Sequence, residues 1–379
     1  MTREVAPNLS YHYWGLGIVG SELEGEAAPL VMVRGSEFNP EKEIAMEDDE
    51  GHMGTATTKM SSYRSSATSN PSFTDKTRYK EGWEDMWYLI LGSDDGTGAV
   101  RKTVLAEASG SNPAVNQYTF KINVANPQDP AFATLYNGFA KTSSDAFVYE
   151  NDLLSEFEIS GSNEEAPTYT ATFASNFPKF NQPNPARVYP SKSIFTKPAD
   201  VKIYIAPKGN YTSEDLLTNY MYPCFVEYGL SINNNIKNDP CSSNDFGTST
   251  KLLGNRESTF NVTVPWTEAT KHLEYTFMGG AADATQVTDE NDEKTVWMVF
   301  ESENIGSTEY KYKTIIKIPE ILLTNTDSPQ SGSDAKQIEL EGNIKENGVD
   351  SFIECIIVTD LEDLHIDNGE SEEDEPSSP

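Results

Sequence analysis

Cysteine, histidine and positive charge are all scarce in this 379-residue chain. Its three cysteines, Cys224, Cys241 and Cys355, stand apart without CxxC spacing, which excludes a disulfide framework or a thiolate zinc site. Buried, reduced thiols are expected, with a Cys224–Cys241 bridge the one pairing left open. The four histidines, His12, His52, His272 and His365, are too dispersed for an HExxH or paired ligand set, and His272 is expected on the exposed side of a helix. No GxSxG elbow and no Cys–His pairing in a catalytic context occurs. The acidic clusters Asp289–Glu293 and Asp94–Gly96 lack the spacing of a calcium loop and read as charged turns. No catalytic residue, cofactor or metal ligand can be nominated, and a non-enzyme is expected.

Long apolar runs are missing as well. None reaches membrane-spanning length, and the first ten residues lack the apolar core of a signal peptide. The N-x-S/T triplets at Asn8, Asn210 and Asn261 therefore carry no glycosylation reading. Lys and Arg total 28 against 60 Asp and Glu, for a formal net charge of -32. Gripping nucleic acid needs clustered cations, so that class is excluded; a surface past which DNA merely slides would suit this balance. Gly15–Gly20 (GLGIVG) matches GxGxxG, but the acidic, Pro-stopped SELEGEAAP follows it and no βαβ pattern appears.

What is present is material for strands. The chain is 37% hydrophobic and 11% aromatic, and Gly, Pro, Asn, Ser and Thr punctuate short apolar runs. From Glu37 to Asp49, Phe38, Ile44 and Met46 alternate with Glu41, Glu43, Glu47 and Asp49, which predicts a strand with one buried and one acidic face. Between Glu227 and Asn238, Tyr228, Leu230, Ile232 and Ile236 alternate with Ser231, Asn233 and Asn235. Two helices are predicted. Trp83, Met86, Trp87 and Ile90 form one apolar stripe over 81–91, stopped by Gly92; Trp266, Ala269, Leu273 and Phe277 do so over 266–277, ending at Gly279–Gly280.

The order of elements repeats. Each half runs alternating strand, polar loop, Arg-led strand (Arg64, then Arg256), aromatic helix and further strands. In the second half an SINNNI strand, a Gly-Asn-Arg strand, a short helix and IIKIPEILL before a closing hairpin resemble the tail tube proteins of long-tailed bacteriophages. In the first half MEDDEGHMGT and EGWEDMWYLILG are similar. The likeness covers nearly the whole chain.

That resemblance implies a mainly β chain of two tandem β-sandwich or barrel domains, each flanked by a short α-helix. Residues 1–34 would be an N-terminal arm, 35–195 and 196–360 the two domains, and 361–379 an acidic disordered tail. Such subunits form rings that stack into a tube in the virion tail, assembled in the host cytoplasm. A duplicated subunit implies a trimer with approximate sixfold shape rather than a hexamer. The implied partners are further copies of the chain, a tape measure protein in the lumen, terminator and baseplate proteins at the ends, and DNA in transit. Glu41, Glu43, Glu47, Asp49, Asn233 and Asn235 would face the lumen, and the polar loops 49–62 and 238–249 would reach the next ring. Two other readings stand beside it: another tail ring protein such as a terminator or baseplate hub, and a carbohydrate-binding or surface β-sandwich module.

Overall fold

In the computed structural model the described residues are 12–19, 37–49, 61–80, 82–92, 100–122, 131–139, 146–183, 194–212, 220–222, 224–240, 249–280, 282–283, 285–286, 292–327, 336–345 and 352–364. They are mainly β, as expected. In chain order the elements are β1 (His12–Val19), β2 (Glu37–Asn39), β3 (Lys42–Asp49), β4 (Ser61–Ser69), β5 (Ser72–Lys76), α1 (Trp83–Leu91), β6 (Arg101–Ala106), β7 (Val115–Lys121), β8 (Phe132–Phe139), β9 (Ala146–Ser162), β10 (Thr168–Ala174) and β11 (Lys179–Gln182). There follow β12 (Val201–Pro207), β13 (Met221–Tyr222), β14 (Glu227–Asn233), β15 (Lys237–Pro240), β16 (Ser249–Leu252), β17 (Glu257–Pro265), α2 (Lys271–Gly279), β18 (Glu293–Asn304), β19 (Lys311–Asp327), β20 (Gln337–Ile344) and β21 (Glu354–Thr359).

Strand pairing is antiparallel throughout. The order β2-β5-β10-β9-β8-β1 in the first half recurs as β14-β17-β20-β19-β18-β12 in the second. The pivots are β9 and β19, each 17 residues long. The first part of each lies in an outer sheet, and past a register shift near its middle the remainder lies in an inner sheet. Helices α1 and α2 follow the equivalent strands β5 and β17. Two hairpins, β3–β4 and β15–β16, form separate two-stranded sheets that leave the inner sheet at equivalent places. At each departure an asparagine makes the same turn: Asn39 Oδ1 accepts the Glu41 N–H at 3.3 Å, and Asn233 Oδ1 accepts the Asn235 N–H at 2.7 Å.

The halves are interlocked. β9 pairs with β14, β7 of the first half pairs with β21 of the second, and one apolar core draws residues from both. Helix α1 lies at this junction. Trp83 and Trp87 meet Phe157 at ring distances of 5.9 and 5.2 Å, while the Trp83 indole N–H donates to Thr314 Oγ1 of β19 at 3.1 Å. With sheets of both halves around it the helix has no wet face: Met86, Ile90 and even Glu84 and Asp85 are buried. The single apolar stripe read from the sequence is thereby corrected.

Other expectations also need correction. Residues 12–19 are not arm but β1, paired with β8 along its length, and the GLGIVG glycines Gly15 and Gly17 lie inside that strand. Pro40 and Glu41 interrupt the long strand expected over 37–49. Beyond the break Ile44 and Met46 are 39% and 56% exposed; among the described residues β3 pairs with β4 alone. The second helix begins at Lys271, five residues later than expected, after a turn in which Thr270 Oγ1 donates to the Pro265 carbonyl at 2.6 Å. Ala269 is consequently exposed, whereas Trp266, Leu273 and Phe277 do reach the core. His272 is half-buried on α2. Cys355 is buried, but Cys224 is an exposed free thiol, and Cys241 lies outside the described residues. Residues 361 and 362, expected in an acidic disordered tail, are held: the Leu361 and Glu362 carbonyls accept from Asn116 Nδ2 (2.8 Å) and the Tyr118 hydroxyl (2.6 Å). Residues 365–379 lie outside the described residues.

Candidate functional site

The inner sheet holds eight strands in the order β2-β5-β10-β9-β14-β17-β20-β19. Directly paired residues point to the same side of a sheet, so the register defines its two faces. One is core: Phe73, Ala171, Phe157 and Ile232 follow one another across four strands, as do Tyr169, Ile159, Leu230 and Phe260. The other is polar except at Leu322 of β19, which pairs with Asn343. One row reads Asn39, Ser72, Thr172, Glu156, Asn233, Glu257, and the next Glu37, Thr74, Thr170, Glu158, Ser231, Thr259, Asn343. A third reads Lys76, Thr168, Ser160, Gly229, Asn261, Glu341, Asn325, and a fourth Ser162, Glu227, Thr263, Glu339.

This face carries seven glutamates (37, 156, 158, 227, 257, 339 and 341) and one lysine, Lys76. Serine, threonine and asparagine separate the glutamates across the strands, which spreads like charges apart. Neighbouring side chains touch: Thr74 and Thr170 hydroxyls are 3.0 Å apart, and Thr263 Oγ1 donates to Glu227 Oε1 at 3.3 Å. Partial burial, reinforced by the charge of Glu158, raises the Glu156 carboxyl above its ordinary range. A shallow depression lined by Ser160, Glu227, Gly229, Asn261 and Glu339 lies where β9 meets β14. Among the described residues no group of His, Cys, Asp and Glu could hold a metal ion.

The β9–β14 contact joins the halves through seven register pairs. On its core side Gly161 gives the Tyr228 ring room; a Cβ there would lie 2.5 Å from the Tyr228 oxygen. At its end Asn234, 6% exposed, donates from its backbone to the Ser155 carbonyl (2.8 Å) and from Nδ2 to the Leu154 carbonyl (2.9 Å). Asn234 Oδ1 accepts from Arg256 Nε at 2.5 Å, and Arg256 also donates to the Ile90 carbonyl at the end of α1.

Of the residues expected on an acidic face, Asn233 lies on this one. Asn235, exposed and in the left-handed region (φ 47°), sits on the turn beyond the sheet. Glu41 and Glu43 are exposed at and just beyond the break that leads into the β3–β4 hairpin, off the eight-stranded face. Glu47 and Asp49 continue β3, with side chains outside those described. The loops expected at 49–62 and 238–249 fall on the two hairpins, and residues 50–60 and 241–248 lie outside the described residues. Sequence reasoning missed Glu37, Glu156, Glu158, Glu227, Glu257, Glu339 and Glu341, although all but Glu257, which stands between Arg256 and Ser258, border an apolar residue, and it missed Asn234, whose even position already marked it as inward-facing. No family model matches the chain, and no curated protein matches it.

Proposed function

We propose that the chain is a structural subunit of a bacteriophage tail tube, assembling into stacked rings whose acidic lumen conducts DNA during ejection. The observation that carries this reading is the eight-stranded sheet, polar and acidic over its exposed face apart from Leu322 and built from two equivalent four-stranded halves. Curved about an axis, such a sheet supplies an arc of channel wall. Strands lie about 4.8 Å apart, so 24 strands from three chains give a bore roughly 37 Å across between backbones, and strand tilt widens it. Two chains would give only about 24 Å before side chains intrude. Three chains of two equivalent halves match the pseudo-sixfold trimer.

Duplex DNA carries about one negative charge per 1.7 Å of axis. A wall of glutamate, threonine, serine and asparagine offers it no phosphate clamp, and screening over about 8 Å at physiological salt keeps the repulsion short-ranged. The wall lubricates rather than blocks. The same bore would house a tape measure protein during assembly, with terminator and baseplate proteins at the two ends. The hairpins β3–β4 and β15–β16 bear the exposed apolar residues Ile44, Met46, Leu252 and Leu253, and such positions favour contact with another chain; stacking on the next ring would cover them. Electron microscopy of the purified protein tests the reading: rings or tubes with a central bore support it, and dispersed monomers at all concentrations overturn it.

A further inference from the structure

We propose that the outward face of the outer sheet is a docking surface for this chain's own acidic segment 367–375, which passes round the edge of β6 and lies across a patch of cations. The inference does not depend on the tube reading. The outer sheet of the second half runs β13-β12-β18-β19-β21-β7-β6. Directly paired residues share a side, so the row Ile203, Met298, Ile316, Cys355, Phe120 marks its core face. On the outward face one row has Lys202 at one end and Arg101 at the other, the next carries Lys317, Glu354 and Lys121, and a third carries Glu301 and Lys313. Lys311 reaches the same face, 2.9 Å from Glu301. Six cations thus stand with two carboxylates, in a chain where acids outnumber bases 60 to 28. Although partly buried, the Glu301 carboxyl is held below its ordinary range by Lys311, Lys313 and Lys202. Lys208, balanced by Glu293 and Glu320, stands past the end of these rows.

Charge and the course of the chain name the occupant. After β21 the chain crosses β7 and then β6 on the core side, where the Leu361 carbonyl accepts from Asn116 Nδ2 and Asp363 lies 3.1 Å from Lys102 Nζ. Among the described residues β6 pairs with β7 alone, so this path leads to the edge of the sheet. Residues 367–375 (DNGESEEDE) hold six carboxylates and no cation. Extended, the stretch from Leu364 to Glu375 reaches up to about 38 Å. At a strand spacing of about 4.8 Å, β6 to β19 is only about 14 Å and β6 to β12 about 24 Å. The six carboxylates exceed the surplus of four cations (six less two), and the lysine stems can pair with them above the half-buried Ile315 and Ile356. Free nucleic acid would meet the same cations, but a tethered segment has an effective concentration of roughly millimolar order and displaces it.

Carbodiimide coupling of the full chain, read by mass spectrometry, tests the docking. At low salt, amide links should join residues 367–375 to Lys121, Lys313 or Lys317, and should fade at about 0.5 M salt as screening shortens. When isotopically light and heavy proteins are mixed, the links should fall within one chain. A full-length variant with an uncharged segment (Asp367→Asn, Glu370→Gln, Glu372→Gln, Glu373→Gln, Asp374→Asn, Glu375→Gln) supplies the second measurement. Acetylation of the same three lysines should be about two- to fivefold faster in it, the range for exposed ion pairs, with Lys237 of β15 and Lys271 of α2 as unchanged standards. Links spread evenly over exposed lysines, links only between light and heavy chains, or equal acetylation of both proteins overturn the docking. Each leaves the tube reading standing, which dispersed monomers in the microscope overturn on their own.

Discussion

The internal seam can be loosened at one side chain, Asn234, and the size of the effect follows from its contacts. Asn234→Ala removes the donor to the Leu154 carbonyl and the acceptor of Arg256 Nε, both in a site where Asn234 is 6% exposed. A neutral hydrogen bond contributes about 1 kcal/mol and one to a charged group about 1.5–3, so a loss of roughly 3 kcal/mol is expected. Arg256→Ala removes the donor to both Asn234 Oδ1 and the Ile90 carbonyl and should cost a similar amount, because both acceptors belong to buried residues. The two changes share one bond, so the double variant should fall short of their sum by about 1.5 kcal/mol. Urea unfolding of the dissociated chain, followed through tryptophan fluorescence, measures all three, since Trp83 and Trp87 lie buried beside the seam. Single losses below 1 kcal/mol, or strict additivity, would show that Asn234 does not hold the halves together.

Other perturbations have equally definite outcomes. Burial raises the Asp152 carboxyl from an ordinary 3.8 to about 7, against the opposing pull of Ser175, Lys251 and the Leu135 N–H. The folded protein thus keeps this proton between those values while the unfolded chain releases it, so stability falls as pH rises through that window, by up to about 4 kcal/mol. Asp152→Asn should be the more stable protein at pH 8, with the gain gone by pH 4; a pH-independent difference in denaturation midpoint would refute this. Gly161→Ala places a methyl against Tyr228, itself boxed by Phe225 at 5.2 Å, and should cost about 1–3 kcal/mol, less in a Tyr228→Leu background. Glu158→Lys with Glu339→Lys should leave ring assembly intact and slow DNA ejection from reconstituted particles, more at low salt than at high; unchanged ejection would remove these residues from the channel wall.

Period-two alternation located β14 and its buried side, because that strand lies in a sheet with one wet face. It could not locate β1, β6 or β8. The sequence of β1 is rich in glycine, β6 (RKTVLA) has four exposed residues in a row, and β8 (FATLYNGF) buries adjacent residues. Nor could it separate a strand within a sheet from a hairpin that leaves it: Glu41 and Glu43 alternate just as Glu339 and Glu341 do. What distinguishes them is which strand lies alongside, a non-local fact. The burial of α1 on every side escaped for the same reason, since Thr314 comes from a strand more than two hundred positions away in sequence. Alternation marked Asn234 as inward-facing, but the chemistry of an inward-facing asparagine depends on Leu154 and Arg256, which sequence order does not bring together.

A chain with a net charge of -32 is acidic almost everywhere, so the glutamates of the inner face need a comparison before they mean anything. The outer sheet supplies it. There Lys311 and Lys313 lie 2.9 and 3.3 Å from Glu301, and Lys317 lies 3.0 Å from Glu354. Lys208 reaches both Glu293 and Glu320. On the inner face none of the seven glutamates makes an ion pair among the described residues, and Lys76, its single cation, lies over the Phe195 ring at 5.6 Å. Cations are thus concentrated where they neutralise carboxylates on the outer sheet and nearly excluded from the inner one. A face that merely met solvent would gain from the same pairing; a face that must let a polyanion pass would lose by it, because every unpaired cation is a phosphate contact.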